Sequence, residues 1–187
     1  MSLSQPFLTR CGEVLAVRRL GAGDLAALQR FFAGLSAATR AVFLPHATDA
    51  ATLSRCVERD QRGLDRSYVL ATEAEAEVAG YFFLWEFDQP VPLLGLGLAD
   101  AWQGRGLGDQ MLARLIADAR AAGRTAVELT TVPGNDRALA LYQRAGFTAL
   151  ADVENVAGDG RIVREHRLYL PLQPGAMPPQ RHFGPPG

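Results

Sequence analysis

The chain has 187 residues, a formal net charge of −1, 48% apolar residues and 21% charged ones, the balance of an ordinary single globular domain. No apolar run reaches the roughly 20 residues of a membrane helix and no export signal is recognisable, so a cytoplasmic protein without a membrane contact is expected. Near-neutral charge argues against general nucleic-acid binding. Two cysteines, Cys11 and Cys56, are too few for a disulfide framework and read as reduced packing residues; no spacing of cysteines or histidines suggests a metal.

Residues 1–10 carry no pattern and are expected to be partly disordered. A strand is predicted over 14–20, stopped by Gly21-Ala22-Gly23. Asp24 is a suitable N-cap for a helix in which Leu25, Leu28, Phe31, Phe32 and Leu35 recur at helical spacing; it breaks near Ser36 and is over by Pro45. A second helix is predicted over 49–60, with Leu53, Cys56 and Val57 inward. Strands follow over 68–72 and 78–87, joined by the acidic segment 73–77, which reads as a solvated hairpin connection.

In the strand predicted over 91–98, Leu94, Leu96 and Leu98 alternate with Gly95 and Gly97, giving one bulky face and one bare one. Glycine inside a strand marks a bulge, a close ligand or simply a tightly packed sheet, and the sequence leaves these open. From Leu107 a long helix is clear: Leu107, Met111, Leu112, Leu115, Ile116 and Ala119 form one stripe that Gly123 terminates. A strand over 127–132 is broken by Pro133-Gly134, after which Asn135 or Asp136 caps a helix carrying Ala138, Leu139, Leu141 and Tyr142 up to Gly146. Two last strands, 147–153 and 162–170, are joined through Gly158-Asp159-Gly160. One domain over 1–170 is therefore expected, followed by an irregular proline-rich tail over 171–187. The element order implies a mixed α/β sheet with helices on its faces.

The segment Gln103-Gly104-Arg105-Gly106-Leu107-Gly108 lies between the glycine-containing strand and the long helix. Such a unit aims the helix's unpaired amides at whatever occupies the loop, and glycines let an anion approach. Arg105 could add a charge-assisted contact. A dinucleotide fingerprint would need glycine at Asp109, and the Gly-Lys-Ser/Thr ending of a P-loop is absent. By itself the loop is equally readable as a tight turn.

With those residues in place, the sequence resembles the GCN5-related N-acetyltransferase (GNAT) family, whose acyl-CoA pyrophosphate loop has the form Gln/Arg-x-x-Gly-x-Gly/Ala; Gln103, Gly106 and Gly108 match it. Asn135, Ala138, Leu141, Tyr142, Gly146 and Phe147 resemble the family's Asn-x-x-Ala-x-x-Leu-Tyr-x-x-x-Gly-Phe pattern. The resemblance implies a mostly antiparallel sheet of about seven strands flanked by about four helices. It also implies acetyl-CoA as acyl donor, without a metal. Leu96 and Leu98 would meet the pantetheine arm, with the bare Gly95/Gly97 face letting thioester or acceptor lie close. Amides of Gly104, Arg105, Gly106, Leu107, Gly108 and Asp109 would hold the pyrophosphate. Asn135 would bond the pantetheine arm or cap its own helix.

Tyr142 is the general-acid candidate, since a positioned phenol can protonate the leaving thiolate. For the base, the strand where several relatives place a glutamate holds no acid, which leaves Glu86 and Glu128 as the nearest carboxylates, or proton loss to solvent. His46, His166 and His182 show no base pattern. The acceptor would be an amine of a small molecule or a protein, lying near Phe31, Phe32, Arg40, Phe43 and His46, with Asp152, Glu154 and Asp159 in the late hairpin favouring a cation. Many relatives are dimers, so a homodimer is left open. A non-catalytic acyl-CoA sensor is the competing reading, and a nucleotide binder a third.

Overall fold

A computed structural model describes residues 5–72 and 77–180. In chain order it contains β1 (Phe7–Leu8), β2 (Val14–Arg19), α1 (Leu25–Gly34), α2 (Ala37–Val42), α3 (Ala50–Gln61), β3 (Arg66–Ala71), β4 (Val78–Trp85), β5 (Leu93–Leu98), α4 (Leu107–Ala121), β6 (Ala126–Thr131), α5 (Asp136–Arg144), β7 (Thr148–Val156) and β8 (Ile162–Pro171). The strands form one sheet of eight in the order β1-β2-β3-β4-β5-β6-β8-β7. All neighbours are antiparallel except β5 and β6. The described residues thus hold one strand and one helix more than the sequence suggested.

The added strand is β1. Phe7 pairs with Leu15 and its ring packs 6.0 Å from Phe82, so part of the stretch expected to be disordered is anchored. Two residues are too few to show a period. The added helix is α2. It starts at the break read near Ser36, whose hydroxyl accepts the Thr39 N–H at 3.1 Å, the usual chemistry of an N-cap. Asp24, by contrast, makes no side-chain cap: its carboxylate pairs with Arg18 and accepts the Gly21 N–H.

Helices cover both faces of the sheet. The α4 stripe read from sequence is buried in full, against Phe82, Leu84, Leu94, Val127 and Leu129. On the other face Leu28, Phe31 and Phe32 of α1 and Leu53 and Val57 of α3 meet Val69, Tyr81, Phe83 and Trp85. β4 is buried along its whole length, which is why its sequence is a continuous apolar run.

Cys56 packs in this second cluster, and burial pushes its thiol up to about 11. Cys11 is exposed in the turn between β1 and β2, so only one of the two cysteines is a packing residue. The acidic connection at 73–76 lies outside the described residues, although Thr72 N–H donates to the Glu77 carbonyl beside it. Residues 172–180 contain neither helix nor strand. Arg167 nevertheless donates to the Pro179 carbonyl there. His182 and the prolines at 185 and 186 lie outside the described residues.

Candidate active site

The sheet comes apart at its parallel pair. β5 and β6 share the single register pair Leu93↔Glu128, next to the Glu128 N–H bond to the Pro92 carbonyl at 3.1 Å. Beyond it the strands diverge. Backbone groups of an antiparallel strand alternate between its two neighbours. The Ala99 N–H bond to Ala79 directs the odd-numbered residues of β5 toward β4. The main chain of Leu96 and Leu98 therefore faces the opening. The Leu98 carbonyl accepts from Gln103 Nε2 at 3.2 Å, outside any ladder.

A cleft of about 610 Å³ occupies this split, and Leu96, Leu98, Gln103, Gly104, Gly106, Leu107, Gly108, Asp109, Asn135 and Tyr142 all line it. At one end sits the loop before α4. Gly104 and Gly106 have φ of 80° and 83°, in the left-handed region that L side chains enter only at a cost. Gly106 caps α4 without any side-chain bond, which leaves the first-turn amides of a 15-residue helix facing the loop. Gln103 braces the loop: its Nε2 also donates to Thr39 Oγ1 at 3.1 Å. Thr39 and Ser36 in turn donate to Asp100 at 2.7 and 2.6 Å. Those bonds, from Ser36 first and then Thr39, hold the Asp100 carboxyl down at about 2.

Asn135 caps α5, its Oδ1 accepting the Ala138 N–H at 3.4 Å; the capping half of its two readings is thus realised. The Tyr142 ring is buried on α5, 5.8 Å from Phe147. Burial raises its phenol well above the ordinary range, so the hydroxyl keeps its proton at neutral pH.

Three sequence candidates lie elsewhere. Arg105 pairs with Glu13 and its guanidinium stacks 4.7 Å from the Trp102 ring, drawn away from the cleft by an acid that no local spacing reveals. Glu128 is fully buried in an ion pair with Arg167. Glu86 stands on the turn after β4 with φ 52°, its N–H bonded to Asp65. None of the three lines the cleft. The bare glycine face is also not open: a Cβ on Gly95 would overlap the Phe83 ring, and one on Gly97 the Phe43 ring. The β4–β5 register runs without a shift, so these glycines make room for aromatic rings and not for a bulge.

Other lining residues escaped the sequence reading. Arg10 packs over Gly106, and a Cβ on Gly104 would meet the Arg137 guanidinium at 3.5 Å; both add positive charge at the loop. At the opposite end Asn155 Nδ2 donates to Glu165 at 2.7 Å and approaches Thr130 Oγ1 at 3.4 Å. Arg10 belongs to a segment without periodicity. In the polar run Arg164-Glu165-His166-Arg167 only the strand register decides which side chain faces inward.

The sequence profile of the Acetyltransferase (GNAT) family matches residues 30–147. The chain belongs to this family. No curated protein matches it. Among solved structures, yncA of Salmonella typhimurium, determined with its cofactor acetyl-CoA, is 24% identical with a TM-score of 0.68, covering 88% of this chain and 98% of that one. The ribosomal-protein-S5-alanine acetyltransferase of Vibrio fischeri has a TM-score of 0.73 at 14% identity, covering 94% and 100%. The spermidine N-acetyltransferase of Vibrio cholerae, in complex with CoA and spermine, gives 0.67 at 18%, covering 84% and 95%. At these identities the likeness establishes the GNAT fold. Among the described residues no group of three or more His, Cys, Asp or Glu is placed to hold a metal ion, and no helix is long and apolar enough to cross a membrane.

Proposed function

We propose that this GNAT acetyltransferase moves the acetyl group of acetyl-CoA to a primary amine by direct attack in a ternary complex. The parting of β5 from β6, which runs into a glycine loop at the start of α4, is the observation that carries this reading. A pantetheine arm can pair with the main chain of Leu96 and with the N–H of Leu98, whose carbonyl Gln103 already holds, as a peptide adds to a sheet edge. The amides of residues 104–109 then receive the pyrophosphate. Arg10 and Arg137 supply charge there that Arg105, committed to Glu13, does not.

With the donor in that position the thioester lies along the cleft wall that includes Tyr142. The bound ammonium first gives up a proton to solvent; as its nitrogen then bonds to the thioester carbon and the carbon–sulfur bond breaks, the thiolate takes a proton from the Tyr142 hydroxyl, and the proton shed by the acylated nitrogen returns through solvent to restore the phenol. The Leu96 N–H supports the carbonyl oxygen as it gains charge. Neither Glu86 nor Glu128 is assigned the role of base, because neither borders the cleft. The test is release of free CoA thiol when acetyl-CoA and a panel of primary amines are mixed with the protein. Amine-dependent release supports the reading; tight acetyl-CoA binding without release by any amine returns the chain to the sensor reading.

A further inference from the structure

The end of the cleft away from the phosphate loop has a wall of apolar side chains, among them Phe43, Trp85, Leu93 and Val163, interrupted by one carboxylate, Glu165. Glu165 follows from the register. The last β6–β8 pair is Thr131↔His166, so residue 165 stands just past the end of β6, where β8 continues alone beside β7. The other carboxylate on the cleft wall, Asp109, is occupied by Arg144 at 3.0 Å. Among the described residues Glu165 forms no ion pair; its one hydrogen bond comes from the neutral Asn155 at 2.7 Å. A half-buried carboxylate in an apolar recess, held by a single amide, has unused acceptor capacity.

We infer that Glu165, oriented by Asn155, binds the ammonium group of the acceptor, and that the acceptor is a monocation whose amine sits on a compact apolar or aromatic body. This rests on the acetyl-transfer reading and specifies its second substrate. One carboxylate without an ion-pair partner satisfies one positive charge, while the apolar wall of Phe43, Trp85, Leu93 and Val163 gives an apolar body its burial. A polycation would bring its further charges toward Arg40, which lines the same cleft beside Phe43, and an acidic group at the amine end would meet Glu165 itself.

The test compares 2-phenylethylamine with its uncharged counterpart 2-phenylethanol, both titrated into the CoA-saturated protein by calorimetry. A charge-assisted hydrogen bond in a sheltered recess predicts roughly tenfold or greater preference for the amine. Glu165→Gln, which can still accept from Asn155, should abolish that preference and leave the melting temperature and the CoA affinity unchanged. Glu165→Asp should retain part of it. In turnover the Gln variant should raise KM for the amine much more than it lowers kcat. Equal binding of the two compounds by the unaltered protein, or a preference that survives Glu165→Gln, would overturn the inference. Failure of the unaltered protein to bind CoA would instead sink the acetyl-transfer reading, and the amine–alcohol comparison repeated without CoA would still decide the role of Glu165.

Discussion

The two ends of the cleft are built on different principles. The end proposed to take the pyrophosphate is built mainly on a contiguous piece of chain, residues 103–109, in which two positive-φ glycines and a helix start do the shaping. The proposed acceptor end is assembled from distant pieces: Phe43 after α2, Gly97 in β5, Ala157 past the end of β7, and Asn155 and Glu165 on β7 and β8. Main-chain chemistry dominates one and side-chain fit the other. The first should therefore break through backbone strain, the second through steric and charge mismatch.

The largest effect should fall between the two ends. Tyr142→Phe is expected to cut kcat roughly a hundredfold while the acetyl-CoA dissociation constant stays put; an equal loss in both would remove Tyr142 from the chemistry. Gly106→Val asks a β-branched residue to adopt φ near 83°, which costs about 1–2 kcal/mol, and should weaken acetyl-CoA binding on the order of tenfold without altering the preference between amines. Gly158→Ala should do the reverse. Its Cβ would overlap the His46 main chain, where Gly158 N–H bonds the Leu44 carbonyl at 2.8 Å. A loss of about 1–3 kcal/mol by denaturant unfolding, with acceptor KM raised and acetyl-CoA affinity intact, is expected.

Smaller effects sharpen the contrast. Ser36→Ala removes the α2 cap and a bond to Asp100, for about 1 kcal/mol of stability, and should loosen Gln103 through Thr39, so both ends feel it slightly. The least effect is a pH slope. Burial among aromatic rings lowers the His46 pKa from 6.5. The unfolded chain then binds more protons there than the folded one, so this contribution to stability is full above pH 6.5 and declines as pH falls below it. Unfolding midpoints at pH 7.5 and 5.5 should differ less in His46→Asn than in the unaltered chain.

The same contrast explains what could be read in advance. Gln103, Gly106, Gly108, Asn135 and Tyr142 stand at fixed spacings within single strand–loop–helix units, so one stretch of sequence carries the whole instruction. The long helix was equally plain, because its stripe repeats over four turns. Glu165 and Arg10 carry no such signal: one depends on which register β8 adopts beside β6, the other on a two-residue strand folding back over Gly106. Glu128 misled for the opposite reason. It stands on β6, the strand after α4, but its partner Arg167 comes from β8 and holds it away from the cleft. Gly95 and Gly97 stand out in the sequence, yet the rings that fill them lie on β4 and past α2.

That filling ties residues far apart in the chain into matched sizes. A larger residue at position 97 can be tolerated only if position 43 shrinks to suit, as in Gly97→Ala combined with Phe43→Leu. The proposed acceptor recess can in this way be re-cut by paired exchanges that leave residues 103–109 as they stand, so its shape is open to change through reciprocal exchanges of bulk.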